Sequence, residues 1–144
     1  MRVLGTTTSF ENLCFQGDFD EALILLDEAA LLYMSDFAPH VRPIAALKAR
    51  IWIAQGRLED VLDWKQVQRL YSHDELSYVR EFEHITLTRM LLALYVSDGL
   101  ASSLQEAIAL LERLLAAAEA GRRMGSVIEL LVLQSLAYHM EGDL

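Results

Sequence analysis

The amino-acid sequence predicts an all-α protein, an α-α superhelix of about seven antiparallel helices. Three observations support this prediction. A short motif recurs at intervals of about 40 residues, a spacing typical of helical solenoids. Apolar residues recur every three or four positions between the copies, as they do on one face of an α-helix. Glycine and proline, which interrupt regular structure, number only 7 and 2 in 144 residues, so long helices are favoured.

The recurring motif places a glycine before a polar residue, an apolar residue and two acids. It reads Gln16-Gly-Asp-Phe-Asp-Glu-Ala-Leu23 in the first copy and Gln55-Gly-Arg-Leu-Glu-Asp-Val-Leu62 in the second. A third copy lies at 103–108 and a fourth begins at 141–144, so we expect the chain to be a fragment of a longer protein. Because glycine accepts the left-handed backbone that ends a helix, each copy predicts the corner of an α-hairpin. The small residues expected to let the two helices approach closely are Ala22, Val61 and Ala107.

Helix boundaries follow from the apolar period and from residues that start or end helices. Pro43 suits the first turn of a helix. Ser72, Ser103 and Ser126 each precede a glutamate by three positions, the spacing of a capping box. The predicted helices span residues 3–15, 18–34, 42–55, 58–70, 74–96, 103–120 and 126–140. The equivalent corners are marked by Gly17, Gly56 and Gly142.

Residues 1–17 are treated separately from the helical repeat domain that we expect over residues 18–144. The stretch Glu11-Asn-Leu-Cys-Phe-Gln-Gly17 differs only by Cys14, in place of tyrosine, from the site at which a viral protease is used to remove tags. Two interpretations remain open. The segment is vector-derived or irregular, or it is native repeat sequence, since Gln16-Gly17 also fits the motif. We therefore assign it no function.

Composition and charge favour a cytoplasmic protein that contacts neither nucleic acid nor membrane. The net charge is -9, from 12 basic and 21 acidic residues, and the phosphates of nucleic acid repel such a chain. The basic pair Arg122-Arg123 suits the C-terminus of a helix. No apolar stretch approaches the roughly 18 residues that a membrane span needs. The lone Cys14 cannot form an internal disulfide, as expected in the cytoplasm.

No constellation of catalytic, cofactor-binding or metal-binding residues is predicted. The sequence has no glycine-rich phosphate loop, and its four histidines lack partners at metal-ligand spacing. Glu83 and His84 are neighbours on a predicted helix and project about 100° apart, so they do not form an acid–base pair. The polar segment 78–89 has two interpretations: contacts between neighbouring repeats, or a patch on the wall of a groove. We expect no enzyme activity, no cofactor and no metal.

Three longer segments carry a resemblance to a known family. They run from Val41 to Trp64, from Asp74 to Arg89, and from Gly125-Ser-Val-Ile-Glu-Leu-Leu-Val-Leu to Gln134. The motif beginning at Gln16 is similar to that of tetratricopeptide repeats. Together the segments resemble the tetratricopeptide-like region of MalT-like, LuxR-type, ATP-dependent bacterial transcription activators, over about residues 16–144.

The resemblance implies a role as one part of such an activator. Those proteins combine an ATP-binding switch domain, a superhelical region of this kind and a C-terminal helix-turn-helix that binds DNA. In the maltose activator the superhelix receives the inducing sugar and helps to control oligomerisation. By analogy, we expect a non-catalytic sensor and protein-interaction module. Its partners would be a protein or small-molecule effector and the other domains of the parent regulator.

Candidate binding residues follow from the phase of the repeat. A solenoid presents the first helix of each hairpin along a concave face. On that face we expect Arg50, Glu83, Arg89 and Glu129 to hydrogen-bond or pair with a polar ligand or peptide. The other interpretation of each is an ion pair with a neighbouring repeat. The alternative function is a self-assembly scaffold with no small-molecule ligand, since an uncapped last repeat exposes apolar surface that a second copy could cover and so form a homo-oligomer.

Overall fold

The computed structural model describes residues 18–33 and 43–142, and within them it contains six α-helices and no strand. The all-α prediction is confirmed, while the predicted helix over residues 3–15 and the corner at Gly17 lie outside the described residues. Across the two described segments, no helix combines the length and apolarity that a bilayer crossing needs. The helices are α1 (Phe19–Tyr33), α2 (Ile44–Gln55), α3 (Leu58–Gln68), α4 (Glu81–Asp98), α5 (Ala101–Ala120) and α6 (Met124–Gly142).

Tight glycine corners join the helices into hairpins. Gly56 follows α2 with φ 77° and ψ 14°, a left-handed conformation, and its N–H donates to the carbonyl of Ile53 at 3.1 Å. Gly99 ends α4 in the same conformation, with φ 69° and ψ 18°. Gly142 is the last residue of α6. The corner predicted at Gly56 is therefore confirmed, and Gly99 has the equivalent position between α4 and α5.

The small residues of the motif, Ala22, Val61 and Ala107, are completely buried, and each belongs to an apolar cluster that joins successive helices. Two apolar clusters follow from this packing. A small one joins α1 to α2 around Leu26, and a larger one runs continuously from α2 to α6 through residues such as Leu110. The helices from α2 to α6 thus share one apolar spine, as expected for a solenoid, and α1 packs on α2 through the smaller cluster.

Helix α4 is the centre of the fold, because it packs against α2, α3, α5 and α6. Between Glu81 and Leu92 only Phe82 and Arg89 escape full burial. A helix that is buried on nearly every side cannot have a polar face turned to solvent. Its polar residues must therefore find partners within the protein. Those that are buried are Glu81, Glu83, His84, Thr86 and Thr88.

The prediction that this helix begins at residue 74 is wrong, since α4 begins at Glu81. The carboxylate of Asp74 accepts a hydrogen bond from the backbone N–H of Tyr71 at 2.8 Å. Such local side-chain bonds compete with helical backbone bonds. The guanidinium of Arg113 on α5 also donates to the backbone carbonyl of Asp74, which a helix would need for its own bonding. The residues between α3 and α4 consequently form a non-helical connection, which Arg113 binds to α5.

The three predicted capping boxes are also wrong. Ser72 precedes no helix, and its hydroxyl donates instead to the carboxylate of Glu106 at 3.2 Å. Ser103 lies inside α5, which has already begun at Ala101. Ser126 lies in the first turn of α6, and its hydroxyl donates to Glu81 on α4 at 3.0 Å. Two of the three hydroxyls therefore bind carboxylates far away in sequence rather than starting helices.

We expect Gly56→Ala to lower the free energy of unfolding by about 1 kcal/mol, because a Cβ disfavours the left-handed backbone of this corner. A Cβ at this position would meet no atom within 4 Å, so the substitution isolates the backbone effect. Gly125→Ala is the matched control, since a Cβ there also meets no atom within 4 Å and its φ is not positive. It should not lower stability. Urea unfolding of both variants measures the difference, and equal responses would contradict the corner assignment.

Candidate functional site

The first helices of successive hairpins, α2, α4 and α6, form one continuous row in which α4 packs against both neighbours. The second helices, α3 and α5, close the hairpins that begin with α2 and α4. We call the surface of this row the first-helix face. It is defined by Arg50 on α2, Thr86 and Arg89 on α4, and Glu129 on α6. Three of its four residues are among the binding residues predicted from the repeat phase.

Arg50, Arg89 and Glu129 form one cluster on this face. Nη1 of Arg50 donates to Oε2 of Glu129 at 2.7 Å. Nε and Nη2 of Arg89 donate to the same oxygen at 3.0 Å and 2.6 Å. A single carboxylate oxygen thus receives three N–H groups from two different helices. The cluster links the three first helices, although its members are 40 and 79 positions apart in sequence.

The orientation of Arg50 is set by α4 as well as by Glu129. Its guanidinium carbon lies 3.9 Å from the centre of the Phe82 ring, a distance that favours cation–π attraction. Its Nε donates to the hydroxyl of Thr86 at 2.9 Å. That hydroxyl in turn donates to the backbone carbonyl of Phe82 at 2.8 Å. The Phe82 ring and the Thr86 hydroxyl therefore hold the planar guanidinium on its face and on one edge, independently of Glu129.

The cluster keeps Glu129 ionised. Burial raises the pKa of the Glu129 carboxyl, but the charge of Arg50 and the hydrogen bond and charge of Arg89 outweigh burial. The pKa therefore lies below its ordinary value of 4.5. The side chains are partly exposed, at 20% for Arg50, 38% for Arg89 and 24% for Glu129, so a ligand in solution could reach them.

Glu83, the fourth predicted binding residue, has a different partner. It is buried, and its Oε1 accepts a hydrogen bond from Nε of Arg80 at 3.2 Å. Nη2 of Arg80 also donates to the backbone carbonyl of Gln68 at the end of α3, at 2.7 Å. Glu83 thus helps to hold α4 against α3. The structure shows internal pairing for all four residues, and their roles in ligand binding stay predictions.

Glu83 and His84 do not form an acid–base pair, as the sequence predicted. His84 is completely buried, with Nε2 3.1 Å from Oδ2 of Asp74 and Nδ1 3.1 Å from the carbonyl oxygen of Arg80. Burial raises the pKa of Asp74, but the backbone N–H of Tyr71 and the contact with His84 outweigh it, and the pKa is lowered. These contacts anchor the connection between α3 and α4.

A cavity of about 340 Å³ lies beside the cluster, between the N-terminal halves of α4 and α6. Its volume falls within the range of about 300–1,000 Å³ that small-molecule sites occupy. Its walls combine two aromatic rings with charged and hydroxyl groups. The residues that supply these groups are Tyr78, Glu81, Phe82, Arg123, Ser126 and Glu129.

The sequence did not predict the charged pair of Arg123 and Glu81 in the cavity wall. Nε of Arg123 donates to both carboxylate oxygens of Glu81, at 3.1 Å and 3.0 Å, and Nη2 donates to Oε1 at 2.9 Å. Arg123 also donates to the carbonyl of Ala117 at 3.2 Å, so the expected interaction with a helix C-terminus is present too. The two partners lie 42 positions apart, and no local pattern could have indicated their pairing.

We expect the free energy of unfolding to fall as Glu129 takes up a proton at acid pH. Because the folded-state pKa of Glu129 lies below 4.5, its ion pairs stabilise the fold fully above about pH 4.5 and are lost as the pH falls through the folded-state pKa. Chemical denaturation from neutral pH down to about pH 3 measures this dependence. Glu129→Gln should flatten it over the same range. Identical pH profiles for the two proteins would contradict the assigned pairing.

Comparison with known proteins gives the family of the chain. A family model described as "MalT-like TPR region" matches residues 12–144, which include every described helix. No curated protein and no solved structure matches the chain. Repeat domains of this kind are interaction or regulatory modules and are typically non-catalytic. The glycine corners, the shared apolar spine and this match agree, and the chain belongs to the family of MalT-like tetratricopeptide-repeat regions.

Proposed function

We propose that this chain is the sensor and interaction module of a LuxR-type bacterial transcription regulator, and that it binds an effector or partner on the first-helix face. The observation that carries the proposal is the cavity of about 340 Å³ beside the cluster of Arg50, Arg89 and Glu129. Family membership supports an interaction role and a helical repeat domain over residues 18–144. The proposal includes a cytoplasmic location and the remaining domains of the regulator as partners.

The chemistry of the cavity suits a small polar molecule or a polar peptide segment. The rings of Tyr78 and Phe82 supply apolar contact area, and Arg123, Ser126 and Glu81 supply polar groups. Arg50 lies over the Phe82 ring and Arg123 over the Tyr78 ring, and Arg123 and Ser126 both bind Glu81, so the cavity does not have to be assembled when a ligand arrives. Such preorganisation lowers the entropic cost of binding. The net charge of -9 argues against direct contact with nucleic acid by this chain.

An occupant of this cavity would contact two successive repeats at once. Its walls come from α4 and α6, and the ion pairs of Glu129 extend the same contact to α2. Binding would therefore change the relative stability of neighbouring repeats. That is the kind of change that a sensor module must pass to other domains, because a ligand shifts a conformational equilibrium only through unequal affinity for its states.

We expect Gly125→Trp to weaken the binding of small effectors at least tenfold, because the added ring would occupy the cavity mouth. Gly125 lines the cavity, and a Cβ there meets no atom within 4 Å, so the side chain can be added without a clash at its base. The probes are a defined panel of maltose, the common amino acids, nucleoside monophosphates and inorganic phosphate. Thermal-shift measurements identify binders, and calorimetry measures their affinities.

Gly142→Trp is the matched control for this experiment. Gly142 is also free of atoms within 4 Å of a Cβ, but it lies at the opposite end of α6 and does not line the cavity. A panel member that binds should therefore keep its affinity in this variant. Equal binding to the wild type and to Gly125→Trp would exclude the cavity as the effector site.

Self-assembly is the second candidate function, and an apolar face of α6 favours it. Contiguous exposed apolar surface marks protein–protein interaction sites. The equivalent positions of α4, Ile85 and Thr88, are buried. They precede Ile128 and Leu131 by the interval that separates Gly99 from Gly142. The large apolar residues exposed on α6, each at least 46% exposed, are Met124, Ile128, Leu131, Val132, Leu136 and Tyr138.

A second copy of the chain would cover this face, and we expect reversible dimerisation that Ile128→Lys abolishes. A lysine at the centre of the contact would have to be buried without a partner, which is strongly unfavourable. Ile24→Lys on α1 is the control, since Ile24 is similarly exposed, at 58%, but lies on another helix. Sedimentation equilibrium over a concentration series measures the association. A wild-type chain that stays monomeric throughout would reject the scaffold function.

A further inference from the structure

We propose that the cluster of Arg50, Arg89 and Glu129 is an oxyanion site, in which the Glu129 carboxylate holds the place of a phosphoryl group on a small-molecule effector. This inference rests on the proposed function, because it names the chemical class of the effector for the first-helix face. Four features of the structure support it: the ion-pair arrangement, the number of donors on one oxygen, the independent orientation of Arg50, and the adjoining cavity.

The ion pairs near the first-helix face are not arranged alike. Glu81 binds one arginine, Arg123, and Glu83 binds one arginine, Arg80. Glu129 binds two. The field of these two guanidiniums is strong enough to lower the pKa of Glu129 although burial acts in the opposite direction. The two guanidiniums therefore attract anions to this site, even on a protein whose overall charge is negative.

More N–H groups converge on Oε2 of Glu129 than one oxygen can accept with good geometry. Three N–H groups converge on Oε2, whereas a carboxylate oxygen offers about two lone-pair directions. Nε and Nη2 of Arg89 form the edge of a fork that ordinarily binds two separate oxygens. A tetrahedral oxyanion presents an oxygen to each of these donors. Its shape therefore matches the two arginines better than the internal carboxylate does.

Arg50 would keep its orientation if Glu129 moved aside. Arg50 is oriented by the ring of Phe82 and the hydroxyl of Thr86, and neither contact involves Glu129. Glu129 also lines the cavity of about 340 Å³, so the remainder of a phosphorylated molecule has room beside the two guanidiniums. Displacement of Glu129 would remove its bonds to α2 and α4. Effector binding would then loosen α6 from the other first helices.

The test is a titration of the whole chain with inorganic phosphate, against sodium chloride at equal ionic strength. Arginine side-chain Nε–Hε resonances report on each guanidinium separately. We expect saturable shifts at Arg50 and Arg89, with a dissociation constant on the order of millimolar. Glu129→Gln should tighten phosphate binding at least tenfold, because it removes the competing charge. Arg89→Gln should weaken binding at least tenfold, whereas Arg57→Gln, which removes a guanidinium paired with Asp60 on the surface, should not.

Several outcomes would overturn the inference. Phosphate that shifts neither arginine in the wild type or in Glu129→Gln would show that no oxyanion site exists. Equal weakening by Arg89→Gln and Arg57→Gln would show attraction to overall charge only. Acetate binding as tightly as phosphate would reject the tetrahedral match. A neutral panel member that Gly125→Trp excludes would still uphold the first-helix face as an effector site, so failure here is distinguishable from failure of the proposed function.

Discussion

The burial of polar side chains in α4 is the constraint on which the rest of the structure depends. A buried carboxylate, imidazole or hydroxyl is tolerated only when a partner satisfies it, since an unsatisfied group costs about 1–3 kcal/mol or more. Glu81 meets Arg123 beside α6, and Thr86 meets Arg50 on α2. His84 meets Asp74 in the connection before the helix. These bonds help to specify where α2, α6 and the connection before α4 lie, which apolar packing alone would leave less defined.

The same bonds shape the candidate site. The Arg123–Glu81 pair that satisfies α4 is also a wall of the cavity, and the Arg50–Thr86 bond also orients a guanidinium of the oxyanion cluster. The groups that stabilise the fold therefore also form the candidate site. A ligand that competes for Glu129 would act directly on contacts that align the repeats.

The parts of the structure that depend on local sequence were predictable. Gly56 indicated a corner because it supplies a backbone conformation that other residues disfavour, and Ala107 indicated close packing because of its size. The repeat phase also grouped Arg50, Arg89 and Glu129 correctly on the first helices. The delayed start of α4 and the Arg123–Glu81 pair were not predictable. Both depend on partners about 40 positions away, such as Arg113 for the connection before α4.

A double-mutant cycle between Arg50 and Glu129 measures whether polar contacts align the repeats. The two residues are 79 positions apart, and they can interact only if α2 and α6 are brought together across α4. The free energies of unfolding of the wild type, Arg50→Ala, Glu129→Ala and the double variant yield the coupling energy. We expect a favourable coupling energy of about 1 kcal/mol or more. Additive effects of the two substitutions would show that these polar contacts do not align the repeats.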